Sequence, residues 1–195
     1  EKTEPHYLEA FRKVLVGGEG DRIEVVGTGE NTIGLVEAAR KIVETRRRSD
    51  EPPFFYVWIV FDKDEFPDAR FDEAVQAVQQ EDAKFKANVS PHWCAAWSNE
   101  AFELWYLLHF QETLGGPVGR ADLCRMLTDR FRSDLNVEEG YLKNDRRVFA
   151  LLRSRMPEAI RRGERAFKLC AGKPPHACNP ATHVFELVKQ LQAYL

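Results

Sequence analysis

Six apolar residues, Tyr56-Val57-Trp58-Ile59-Val60-Phe61, run without a polar break into Asp62-Lys63-Asp64-Glu65. No other stretch constrains the fold as tightly. The run is short, rich in aromatic and β-branched residues, and does not alternate, so residues 54–61 are expected to form a strand buried on both faces, central and parallel in an α/β sheet. Such a strand needs companions. Residues 22–26 (RIEVV) and 88–97 supply two further strand-like stretches, the second despite Pro91.

Helical periodicity fills the intervals. Residues 4–16 place Tyr7, Leu8, Phe11, Val14 and Leu15 on one face, and Asn31 or Thr32 can cap a helix to about residue 48 with Ile33, Val36, Ala39, Ile42 and Val43 inward. Residues 71–85 and 99–110 continue the alternation, with Ser98 or Asn99 as a cap for the latter. After Gly115-Gly116-Pro117 the pattern becomes almost wholly helical, over 121–131, 148–156, 157–169 and 183–195, with 171–180 a loop. The expected organisation is an α/β core over residues 1–115, a mostly parallel sheet flanked by helices, with a C-terminal helical cap over 116–195 packed on it as one integrated domain.

With 44% hydrophobic and 30% charged residues among 195, the chain can bury a proper core. No apolar run reaches the roughly 20 residues that cross a bilayer, and no basic, apolar leader opens the chain, so a cytoplasmic protein with no membrane partner is expected. The chain begins at Glu1 without an initiator methionine, and further residues are expected upstream. Four cysteines, Cys94, Cys124, Cys170 and Cys178, lack the spacing of a disulfide framework or zinc ribbon. Charge is uneven: residues 118–168 hold 13 Lys and Arg against 8 Asp and Glu, while the whole chain is at −3. A basic half beside an acidic half suits a polyanion bound near a metal, and equally a solvated helical surface.

The acids after the apolar run carry the chemistry. Ligand crevices in open α/β sheets lie beyond the carboxyl ends of the strands. Extended geometry would point Asp62 and Asp64 to the same side, where two carboxylates repel unless a cation holds them, and hard oxygen donors suit Mg²⁺ or Mn²⁺. Glu103, within the aromatic sequence FELWYLLHF, needs a partner of its own: a metal, an arginine or a backbone donor. His109 reads as a satisfied core histidine, and Glu4 as a favourable charge at a helix start. Lys63, Lys143, Arg146 and Arg147 are candidates for steadying phosphate charge. Gly27-Thr28-Gly29 satisfies neither dinucleotide nor phosphate-loop spacing, and His176, Cys178 and His183 lack a fourth zinc ligand.

EKTEPHYL, VFDKDEF, SNEAFELWYLLHF and NPATHVFELV together resemble the RloB-like family, Toprim-containing proteins found beside restriction and phage-defence genes. The resemblance spans nearly the whole chain. Ser98, Asn99, Phe102, Glu103, Trp105 and His109 carry its most specific piece, with Glu100 where the family usually has proline and Ala181 where it has serine. The resemblance implies a Toprim-like sheet with a DxD at Asp62 and Asp64, and a glutamate of an EG pair on a first strand upstream of Glu1. It also implies a metal-dependent nuclease acting on DNA or RNA, transfer RNA included, in anti-phage defence with a possible protein partner. Two rivals stand beside it: a nucleic-acid- or partner-binding module with a vestigial site, and a nucleotidyl-transfer enzyme.

Overall fold

The apolar run forms β1 (Tyr56–Asp62), which pairs in parallel with β2 (His92–Asn99) from Tyr56 opposite His92 to Asp62 opposite Ser98. The computed structural model describes residues 3–15, 23–30, 32–87, 90–113 and 115–193. A two-residue β3 (Ala181–Thr182) lies antiparallel to the end of β2, giving the order β1-β2-β3. β3 sits in the region expected to be loop and helix only. It forms because Ser98 and Thr182 share a hydrogen bond at 2.9 Å between their hydroxyls, inside a fully buried pair.

Among the described residues β1 is an edge strand, not the central one its composition suggests. The physical reason lies in how its faces are used. Ile59 and Phe61 face one core with Trp93 and Trp97 of β2, while Trp58 and Val60 face the other, so every second residue packs even though the run does not alternate. Burial on two faces does not require a neighbour on both edges. The amino end is open, with Phe55 75% and Tyr56 47% exposed. Residues 23–26 of the expected first strand are irregular, and Arg22 lies outside the described residues.

One core lies under α3 (Asp68–Asp82), which returns the chain from β1 to β2 and buries Phe71, Ala74, Val75 and Val78 at helical spacing. Phe71 meets Phe61 and Trp97 edge to face, with ring centroids 5.6 and 5.8 Å away. The helix α2 (Thr32–Arg47) packs on this side as well, yet only Thr32 and Val36 are buried. Ile33, Ala39, Ile42 and Val43 are half-buried, short of the inward face read from the sequence.

The larger core fills the opposite face. It gathers Tyr7 and Phe11 of α1 (Thr3–Arg12), residues 104–107 of α4 (Glu103–Leu107), and the apolar stripes of α5 (Arg120–Leu135), α6 (Val148–Leu152), α7 (Met156–Lys168) and α8 (Val184–Gln192). At roughly 1.5–3 kcal/mol per fully buried large side chain, Trp105, Phe11 and Phe131 rank among its strongest contributors. A single turn of 3₁₀ helix, Arg153–Arg155, joins α6 to α7. Gly163 lets α7 approach α8, since a Cβ there would stand 3.0 Å from the Phe185 ring. The helix expected over 99–110 is only one and a half turns long, because Ser98 and Asn99 remain in the strand and do not cap it.

Candidate acid site at the carboxyl end of β1

β1 ends on the face that carries the larger core, and Asp62 follows Trp58 and Val60 to that side. Asp62 is 8% exposed. Beyond it the ladder continues through Lys63 N–H to the Ser98 carbonyl at 2.8 Å and Asp64 N–H to the Glu100 carbonyl at 3.0 Å. Asp64 itself is left-handed, φ 46°, a conformation that aspartate tolerates better than most residues. The period-two alternation expected from the sequence therefore does not align the two carboxylates. They converge because one guanidinium holds both.

That guanidinium belongs to Arg120, the first residue of α5. Its Nη2 donates to Asp62 Oδ2 at 3.0 Å and lies 2.6 Å from Asp64 Oδ1, while its Nε is 4.0 Å from Glu103 Oε2. Glu103 opens α4 and is 1% exposed. Its Oε1 accepts a hydrogen bond from the Tyr141 hydroxyl at 3.0 Å. Tyr141 reaches it from a loop that Gly140 starts at φ +76°, where a Cβ would stand 2.5 Å from Thr128 Cγ2. Glu4, in the first turn of α1, is close enough to act on Asp62, Tyr106 and Tyr141 electrostatically.

Three carboxylates thus lie within 4.0 Å of one guanidinium, with Glu4 near enough to act on Asp62. Asp62 is held well above the usual carboxylate range by burial first, then by Glu4 and Asp64, against the backbone of Phe102 and the charge of Arg120. Its Oδ1 is buried with no hydrogen-bond partner among the described residues. Tyr141 is pushed above its ordinary value by burial and then by Glu103, so it stays a hydroxyl donor. Among the described residues no three His, Cys, Asp or Glu side chains are drawn together as a ready cation site. A groove of about 1180 Å³ runs along the free edge of β1, between it and residues 23–30, with Glu4, Asp62 and Asp64 in its lining.

The other residues singled out by sequence fall in two groups. Ser98 and Asn99 are structural. Ser98 bonds Thr182, and the Asn99 amide donates to the carbonyls of Pro175 and His176 at 3.2 and 2.8 Å. Asn179, in the loop before β3, exchanges hydrogen bonds with the Val118 backbone. His109 is buried in the core with Nδ1 3.0 Å from the Trp105 carbonyl, and burial pushes its imidazole down to about 4. Lys63 Nζ donates to the Phe66 carbonyl at 3.2 Å and pairs with Asp68 at 3.1 Å. Lys143 and Arg146 are exposed on the Tyr141 loop, whereas Arg147 is clamped on Asp145 by two nitrogens.

His176 is taken by Asp72 at 2.6 Å, His183 by the Ala95 carbonyl at 2.8 Å, and Cys178 Sγ lies 3.4 Å from the Pro174 carbonyl. The four cysteines are free thiols. Burial, then Cys170, pushes the Cys178 thiol up to about 12.

Arg120, Tyr141 and the site role of Glu4 escape sequence reasoning. Glu4 has the local context of any helix-start acid, and Arg120 is separated by 58 residues from Asp62. The one available signal was Glu103, whose need for a charged partner left an arginine open.

These features define an α/β protein with an acidic cluster at the carboxyl end of an edge strand, braced by helices from both halves of the chain. The profile of the RloB-like protein family matches residues 1–191, and the chain belongs to that family. No curated protein and no solved structure matches it. No helix among the described residues is long and apolar enough to cross a membrane.

Proposed function

We propose that the protein is a metal-dependent Toprim-type nuclease that hydrolyses phosphodiester bonds of DNA or RNA in anti-phage defence. The observation that carries this reading is the convergence of Asp62 and Asp64 on one cationic nitrogen at the end of β1, with Asp62 Oδ1 making no hydrogen bond of full geometry among the described residues. A buried hard oxygen without a donor is an unsatisfied ligand. Mg²⁺ and Mn²⁺ keep several waters and need only one or two carboxylates from the protein, so the donor set fits even without a third acid drawn in.

Asp62 and Asp64 would hold the ion, with Glu103 or Glu4 positioning a water of its shell. When bound, the ion would polarise the scissile phosphate and lower the pKa of an attacking water. Glu103, fixed by Tyr141, keeps its carboxylate facing the site. Lys143 and Arg146, exposed on the same loop as Tyr141, would meet neighbouring phosphates.

A second reading has an observation of its own. Arg120 already compensates the acids, which supports a nucleic-acid- or partner-binding module whose site has lost its metal. Chelation separates the two. Treating the protein with EDTA and restoring Mg²⁺ or Mn²⁺ should abolish and recover cleavage of duplex DNA, single strands or transfer RNA. Binding that survives chelation and Asp62→Ala, with no cleavage of any of these, would overturn the nuclease reading.

A further inference from the structure

We infer that Arg120 is an exchangeable counter-ion, occupying the cation position of the acid site and competing with a divalent metal for Asp62 and Asp64. The inference rests on the reading that these carboxylates hold a metal, and adds a regulation of that site by the chain itself.

Three observations carry it. Nη2 alone meets both carboxylates, at 3.0 and 2.6 Å, so the guanidinium stands between the oxygens that a cation would use. It is an incomplete substitute, since Asp62, 8% exposed, keeps Oδ1 buried and without a full hydrogen bond among the described residues. A small ion with hard-oxygen preference can bring waters to such an atom, while a planar fork cannot bend round to it. Finally, Arg120 is the first residue of α5, and its side chain is 28% exposed. Rotation about its side-chain bonds can carry the guanidinium outward while the helix stays in place. Glu103, with Oε2 4.0 Å from Nε and Oε1 held by Tyr141, remains behind as a fixed wall.

Competition of this kind has a sign. Removing a unit positive charge about 4 Å from a cation, at an effective dielectric near 20, strengthens that cation's binding by well over tenfold before solvent screening, and by about tenfold after it. Arg120→Gln should therefore bind Mn²⁺ about tenfold more tightly than the wild type. Arg120→Lys, which keeps the charge, should stay close to the wild type. Asp62→Asn should lose binding.

The test is a Mn²⁺ titration of the metal-free full chain, following free Mn²⁺ by electron paramagnetic resonance, with thermal unfolding of each variant alongside. Tighter binding by Arg120→Gln and a larger Mn²⁺-induced rise in its Tm support the inference. An arginine with only a structural role would lower Tm without raising Mn²⁺ affinity. Equal or weaker binding by Arg120→Gln, with Asp62→Asn still losing it, overturns the exchange and leaves the proposed nuclease intact. If neither the wild type nor Asp62→Asn binds Mn²⁺, the metal reading falls and this inference falls with it.

Discussion

The hydrogen bond from Tyr141 to Glu103 is the most exposed point of the account to a stability measurement. Both residues are buried, at 7% and 1% exposure, and the donor–acceptor distance is 3.0 Å. Tyr141→Phe keeps the ring and its packing against Tyr106 and Phe131 but deletes the donor. A hydrogen bond to a charged group contributes about 1.5–3 kcal/mol. Arg120 Nε, at 4.0 Å, is too far to replace it without movement. A loss of ~2 kcal/mol is expected, equal to roughly 4–8 °C in Tm for a chain of this size.

Urea unfolding, followed by the fluorescence of the four tryptophans, measures this loss. A double-mutant cycle with Glu103→Leu isolates the pair. Once the carboxylate is gone, Tyr141→Phe should be nearly neutral, giving a coupling of ~1.5–2 kcal/mol. Effects that add within about 0.5 kcal/mol would refute the claim that Tyr141 holds Glu103 in place.

Other outcomes follow from the same geometry. Asp62 binds its proton more tightly folded than unfolded, so its contribution is stabilising below the unfolded pKa of 3.8 and is lost as pH rises through the folded value. Asp62→Asn should therefore raise Tm at pH 7 in metal-free buffer, a rise that scanning calorimetry detects. His109 has the opposite sign: unfolded it takes a proton near 6.5, folded only near 4, so stability should fall by roughly 2 kcal/mol between pH 7 and pH 5. Paired urea midpoints should show the fall in the wild type and its loss in His109→Gln. Gly140→Ala, at φ +76° and against Thr128, should cost about 1–3 kcal/mol by the same unfolding assay and loosen the Tyr141 loop.

Much of this site was legible in the chain because its determinants are local. A strand that exits into acids puts Asp62 at a sheet's carboxyl end whatever surrounds it, and the oddity of Glu103 among aromatics pointed to a charged partner. Residues 71–85 and 157–169 read correctly as helices, within a few residues, because α3 and α7 follow one amphipathic stripe each. What was not legible depended on long-range packing. The edge position of β1 follows from which chain segments line its free side, and a non-alternating run cannot reveal that. The shortness of α4 follows from Ser98 and Asn99 being held by Thr182 and by residues 175–176, over 75 residues later. The contacts of Lys63 with Phe66 and Asp68 depend on how the turn before α3 folds back, which the residue types alone do not reveal.

The central claim is that Asp62 and Asp64 form a metal site that cuts phosphodiester bonds, and one measurement bears on it most directly. End-labelled DNA and transfer RNA are incubated with the protein in Mg²⁺ or Mn²⁺, beside Asp64→Asn of verified fold, and products are resolved by electrophoresis. The account predicts metal-dependent cleavage by the wild type, at least about 100-fold faster than by Asp64→Asn, the scale on which loss of a metal-site carboxylate is felt. Equal rates for the two proteins, or no cleavage by either, would contradict it.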